Sequence, residues 1–152
     1  MSKPTDIERV SQNRVVKLFK EELNYTYLGD WEEREGNSNI EEEYLTKYLK
    51  RKGYSDGHIS KAIFELQQVA TNFSDSLYTT NKNVYSKLRN GVKVKVSAGE
   101  NYDTVKLINW QIPEDNDFYI AEEVTYKGNK TKRPDIVLYI NGIAIAVLEL
   151  KR

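Results

Sequence analysis

The segment from Thr131 to Arg152, TKRPDIVLYINGIAIAVLELKR, limits the possible folds more than any other part of the chain. Two aliphatic, β-branched runs, Asp135 to Ile140 and Ile143 to Leu150, flank an Asn141-Gly142 pair, the strongest short-range signal for a β-hairpin. A hairpin brings the start of its first strand to the end of its second. Here Asp135 begins the first run, and Glu149 and Lys151 close the second. A carboxylate on an apolar strand is costly unless it is paired or holds a metal, so Pro-Asp followed by Glu-x-Lys calls for a chemical reason.

Magnesium prefers carboxylate oxygens and keeps several waters, which leaves room for phosphate oxygens. Asp135, Glu149 and the backbone carbonyl of Leu150 would make such an open site. Lys151 would then polarise a scissile phosphate or hold the attacking water. Among the sixteen lysines only Lys151 has an acidic residue two places before it. The plainer alternative is that Asp135 caps a turn and Glu149-Lys151 is a solvated strand end.

The two readings differ in register. With a two-residue loop, Ile140 pairs with Ile143, Asp135 falls opposite Leu148, and Glu149 points to the other face. With an odd-length turn, Gly142 left-handed in a G1 bulge, or with an equivalent bulge, the register moves by one. Asp135, Glu149 and Lys151 then share a face with Val137, Tyr139, Ile143, Ile145 and Val147. Ala144, Ala146, Leu148 and Leu150 lie opposite, and the alanines would admit a closely packed helix. The metal site therefore requires a bulge and a Gly142 at positive φ.

The segment RPDIVLYINGIAIAVLELKR, together with IERVSQNRVVKLF, YTYLGDW and EGNSNIEE, resembles the N-terminal nuclease domain of the restriction subunit of type I restriction-modification enzymes. The likeness covers most of the chain. It implies a PD-(D/E)xK, restriction-endonuclease-like fold, magnesium-dependent cleavage of double-stranded DNA, and Asp135, Glu149 and Lys151 as the nuclease triad. It also implies an ATP-driven, helicase-like motor further along the subunit, and specificity and methylation subunits as partners. A helix bearing a glutamine and a tyrosine follows the Glu-x-Lys strand in that family. The chain therefore reads as a fragment of a longer subunit, nearly inert as a nuclease by itself.

Composition bounds the remaining possibilities. The chain of 152 residues, 30% charged and 39% hydrophobic, reads as one domain with a real core. No run approaches the ~18 apolar residues of a spanning helix, and the polar start MSKPTDIER is no signal peptide. The absence of cysteine excludes disulfides and thiolate metal sites and fits a cytoplasmic location. Basic and acidic residues balance at 23 each, so delivery of DNA by other domains or subunits is expected.

In chain order, Thr5 to Glu8 reads as a capping box opening a helix to about Leu23, with Ile7, Val10, Val15, Leu18 and Phe19 on its apolar side. Glu8 is explained by the cap, although a first-helix glutamate reaches the metal in related nuclease folds. Gln12, one turn on, reads as a surface amide. Tyr25 to Asn39 reads as a loop, with room for a short strand and with Trp31 at the core edge. Seven acidic residues between Asp30 and Glu43 face only Arg34, a solvated face that would repel phosphate.

Further helices are expected from about Asn39 to Gly53, from Ser55 or Asp56 to Ala70, and up to Asn90-Gly91. His58 reads as a surface residue. Strands are expected at Val92 to Ser97, Tyr102 to Trp110 and Phe118 to Tyr126, the last placing Glu122 and Glu123 on opposite faces, either of them a neighbour of a metal and at least one of them at the surface. Lys127, Lys130, Lys132 and Arg133 read either as a solvated turn or as a phosphate clamp beside Asp135.

The expected fold is α+β (mixed α/β): helices over 5–90, then a five-strand, mainly antiparallel meander over 92–152. No P-loop motif is present, so ATP would not bind here through one. Two functions fit: a magnesium-dependent DNA endonuclease domain, or a non-catalytic module that keeps the fold and docks the motor or methylase subunits.

Overall fold

The structure is a computed structural model that describes residues 6–151. The chain divides into two compact units, Met1–Glu41 with Asp117–Arg152, and Glu42–Asn116. The first holds a four-stranded mixed sheet and a helix, the second three helices and a two-stranded sheet. The architecture is α+β, as expected.

In the first unit α1 (Asp6–Lys17) continues through one π turn, Leu18–Glu22. Thr5, the expected cap, lies outside the described residues. The predicted apolar side of this helix is rotated from the observed one: Ile7, Val10 and Leu18 are exposed, whereas Gln12 and Val16 are buried. The cause is polar, because Gln12 is drawn inward by two glutamates. Val15, Val16 and Phe19 then pack with Ile120, Ile136, Leu138, Ala146, Leu148 and Leu150.

The sheet order is β1 (Thr26–Asp30), β4 (Phe118–Glu122), β5 (Ile136–Ile140), β6 (Ile143–Leu148). This corrects the five-strand meander. β1 falls in the segment read as a loop and pairs parallel with β4, with an irregularity between Tyr27 and Gly29. The strands at Val92 and Tyr102 shorten to β2 (Val92–Val94) and β3 (Asp103–Val105), which pair only with each other. Trp31, 6% exposed, lies tilted against Tyr139 at 5.9 Å between ring centroids and carries the Arg34 guanidinium over its ring.

In the second unit α2 (Glu42–Arg51) buries Leu45, Tyr48 and Leu49. The next helix, α3 (Asp56–Ala70), is capped by Ser55, whose hydroxyl accepts from the His58 N–H, as its sequence predicts. His58 is half-buried, and its Nε2 lies 2.7 Å from Asp103 Oδ2, joining α3 to β3. The last helix of the unit, α4 (Leu77–Asn90), ends at Gly91, where φ is 86° and a Cβ would come within 2.7 Å of Thr104 Cγ2.

Beyond Val105 the expected strand is lost because asparagines take over the backbone. Asn109 Oδ1 accepts from the N–H groups of Gln111 and Ile112, and Asn116 bonds Asn109 through both N–H and carbonyl. Side chains of this kind compete with a ladder for the same groups.

Candidate active site

The Asp135–Lys151 hairpin contains both features that the sequence presented as alternatives. Ile140 pairs with Ile143 across a plain two-residue turn, with Asn141 at φ 52° and Gly142 at φ 85°, the double positive φ of a type I′ turn. Beyond it the pairing runs Tyr139 to Ala144 and then Leu138 to Ala146, so Ile145 is bulged out of β6. Val137 then meets Val147 and Ile136 meets Leu148; the next pair in that register is Asp135 with Glu149. The carboxylates become co-facial through a bulge within the strand, not through a three-residue turn. Ile143 and Ala144 precede the bulge and keep the two-residue register, so each lies on the face opposite to the expected one. Ala146, Leu148 and Leu150 do pack beneath α1.

Asn141, fully buried, fixes the turn from within: its Oδ1 accepts from Asp117 N at 2.7 Å, and its own N donates to Asp117 O at 2.8 Å. At the open end Asp135 Oδ2 accepts from Leu150 N at 2.8 Å. The Glu149 carboxyl is raised above the usual carboxylate range, first by desolvation and then by the charge of Asp135 and a hydrogen bond to it, while Lys151 pulls it back. Asp135, Glu149 and Lys151 therefore meet at one strand end. Among the described residues no cluster of three or more His, Cys, Asp or Glu side chains is placed to hold a metal. The available donors are two carboxylates with the Leu150 carbonyl next to them, a hard-oxygen set of the type divalent cations accept.

Behind this pair lies a buried ionic network that the sequence did not reveal. Glu122 and Glu123 are 7% and 2% exposed, which overturns both the surface role expected for one of them and their placement on opposite faces. Glu123 has φ 50°, so strand alternation stops there and both carboxylates turn to the same polar cluster. Gln12 Nε2 donates to Glu122 at 2.6 Å and to Glu123 at 3.2 Å, and the Tyr27 hydroxyl donates to Glu122 at 2.6 Å. Arg9 approaches both carboxylates at 3.6 and 4.0 Å. Burial pushes the Glu123 carboxyl up, and the Gln12 amide and Arg133 partly offset this. The Glu123 N–H donates to Asp135 O at 2.9 Å, which ties the network to the strand that carries Asp135.

Glu8 is half-buried one turn before Gln12; Gln12 and Arg9 reach these carboxylates from α1. Arg133, grouped with the phosphate-clamp candidates, has a side chain only 9% exposed, with Nε 3.0 Å from Glu123 and Nη1 2.5 Å from Glu32. Lys130 and Lys132 are exposed, on the loop closed by the Tyr126–Lys132 bridge. The acidic run is only partly a solvated face, since Glu32 holds Arg133 and Glu41, 5% exposed, takes both Nη groups of Arg34 at 3.0 Å.

Fold and hairpin together define an α+β domain with paired carboxylates and a lysine at one strand end. The family model described as "Type I restriction enzyme R protein N terminus" matches residues 7–152, and the chain belongs to that family. In Methanocaldococcus jannaschii the "Putative type I restriction enzyme MjaVIIIP endonuclease subunit" is 38% identical over 68 residues, covering 43% of this chain and 7% of that protein. The similarly designated MjaIXP and MjaVIIP subunits of the same organism are 38% identical over 73 residues and 40% identical over 65. They cover 44% and 42% of this chain, and 7% and 6% of those proteins. The matched stretch is thus a small part of each relative. No helix among the described residues is long and apolar enough to cross a membrane.

Proposed function

We propose that this chain is the DNA endonuclease domain of a type I restriction subunit, of the PD-(D/E)xK type, hydrolysing phosphodiesters of double-stranded DNA with magnesium. The observation that carries the reading is the Ile145 bulge, which places Asp135 and Glu149 on one face beside Lys151. Asp135, Glu149 and the Leu150 carbonyl would hold magnesium, which when bound stabilises charge developing on the phosphate. Asp135 is held for this task by Leu150 N, and its strand by Glu123. Lys151 supplies a fixed positive charge to orient the attacked phosphate or the water. With Arg133 engaged by two glutamates, phosphate contacts fall to Lys130 and Lys132. The setting is the cytoplasm, with ATP consumed by a motor region of the same subunit and with specificity and methylation subunits bound alongside.

Two experiments test this. Calcium or manganese titrated into the chain should give heat that disappears in Glu149→Ala. In a full-length subunit carrying this domain, Lys151→Ala should abolish cleavage of plasmid DNA while ATP hydrolysis continues. Titration without heat in either protein would overturn the metal site.

A second reading, a non-catalytic module that docks the motor or methylase subunits, is favoured by the lack of a three-sided metal cluster among the described residues. It expects no metal response and no loss of cleavage in either variant.

A further inference from the structure

The second unit holds a cavity of about 530 Å³, a size typical of small-ligand sites. Its walls include Tyr54, Trp110, Lys52, Arg89, Lys106 and Asn90, and no carboxylate lines it. The cations differ in how far they are already satisfied. Lys52 is paired with Asp115. Lys106 Nζ reaches only the Asn90 carbonyl, at 3.3 Å, and Arg89 lies over the Trp110 ring at 4.7 Å from its centroid. Among the described residues neither Arg89 nor Lys106 has a carboxylate partner, so two positive charges face a cavity without local compensation.

The aromatic wall is fixed in place. Trp110 is 44% exposed, yet its Nε1 donates to Leu88 O at 2.9 Å, which sets the plane of the ring. Tyr54 is anchored in the same way, its hydroxyl accepting from Lys106 N at 2.9 Å. An exposed indole held rigid under a guanidinium is a stacking platform, because bases stack on aromatic rings and on arginine planes alike. Asn90 adds an amide able to meet a base edge.

We infer that this cavity binds a nucleotide, with the base stacked on the Arg89–Trp110 pair and the phosphate taken by Lys106 and Arg89. A peptide carboxylate would use the cations but leave the stacking platform idle. A purely apolar ligand would use the rings and leave the two cations idle. A nucleotide uses both. Free nucleotides and nucleotides within a DNA strand share this chemistry, and the test separates them.

The chain, kept in EDTA so that no metal chemistry contributes, is titrated with AMP, with ATP and with a short single-stranded oligodeoxythymidylate. Binding is followed by the indole N–H resonance of Trp110 and by calorimetry. At least one probe should shift the Trp110 signal, with affinity weakening as salt rises. Arg89→Ala and Lys106→Ala, both exposed positions, should each weaken it roughly tenfold or more, whereas Trp110→Phe should retain part of it. Asp135→Asn should bind unchanged, which makes failure here distinguishable from failure of the nuclease reading. Response to AMP and ATP alone assigns free nucleotides, and response to the oligonucleotide assigns a DNA strand. No shift with any probe at millimolar concentration, or equal binding by the parent, Arg89→Ala and Lys106→Ala, would overturn the proposal.

Discussion

Asp135, immediately before β5, accepts a hydrogen bond from the backbone of Leu150, at 2.8 Å, between the two other residues of its motif, Glu149 and Lys151. The contact locks the open end of the hairpin, and it holds two carboxylates side by side. That arrangement has a measurable energetic signature.

Glu149 is raised by desolvation first and by Asp135 second. A carboxyl whose folded pKa exceeds its unfolded value binds more protons when folded, so its contribution to stability is fully present below the unfolded pKa. The contribution is lost as pH rises through the folded pKa. Glu123, raised mainly by burial, has the same sign. Thermal stability without metal should therefore fall from mildly acidic to neutral pH, and magnesium should restore it at neutral pH. Asp135→Asn, which keeps an acceptor for Leu150 N, should show a shallower fall. Superimposable profiles for the two proteins would contradict the coupling.

The bulge at Ile145 gives a sharper test, because its side chain is 43% exposed and the register matters rather than the side chain. Ile145→Ser should change stability by no more than about 0.5 kcal/mol. Deleting Ile145 removes the extra residue and the bulge together, so Ala146, Val147 and Leu148 still face Leu138, Val137 and Ile136, and Glu149 still meets Asp135; the metal response should survive. Inserting one alanine after Ile145 should instead bring Leu148 opposite Asp135 and turn Glu149 to the other face, and the metal response should disappear. Calorimetry with manganese on the deletion and insertion variants decides; binding lost in the deletion variant and kept in the insertion variant would refute the register.

The network around Glu122 and Glu123 predicts a graded series. Arg133→Ala leaves the buried Glu123 without its closest cation and should cost about 3–5 kcal/mol. Gln12→Ala removes one amide shared by two carboxylates, at about 1–3 kcal/mol. Lys127→Ala breaks only an exposed pair with Glu35 and should stay within about 1 kcal/mol. Denaturant unfolding should rank the three in that order.

Asn141 combines a left-handed backbone with a buried hydrogen bond, and two substitutions separate these. Asn141→Gly keeps the conformation and loses the bond to Asp117 N, which leaves a buried donor unpaired, at about 1–3 kcal/mol. Asn141→Ala loses the same bond but keeps a Cβ at positive φ without the polar side chain that lets asparagine tolerate it, and should be less stable than Asn141→Gly by about 1–2 kcal/mol. Equal unfolding free energies for the two variants would show that the turn carries no backbone strain.

The hairpin was legible because its signals are local: Asn-Gly names the turn, and Asp135, Glu149 and Lys151 fall at countable distances from it. The need for a bulge followed from the same count, but its position did not, since nothing in Ala144-Ile145-Ala146 distinguishes Ile145 from its neighbours. β1 was hidden because Gly29 interrupts its alternation and its partner β4 is remote in sequence, paired in parallel. Glu122 and Glu123 were misplaced because period-two reasoning assumes extended backbone, and Glu123 is left-handed. Gln12 could have drawn suspicion as a polar residue between Val10 and Val15, but only its partners on β4 explain why it is buried.

The parallel pairing of β1 with β4 also bears on how the molecule is made. α1 and β1 leave the ribosome first, yet β1 has no partner until Phe118–Glu122 has been synthesised, and closing a loop of that length carries an entropic cost. Until then Val16, Phe19 and Tyr25 remain uncovered. The segment Glu42–Asn116, by contrast, is continuous in sequence and complete before β4 emerges. The order of synthesis therefore favours folding of the intervening unit first, with the sheet bearing Asp135 and Glu149 assembling last around a strand made long before its partner.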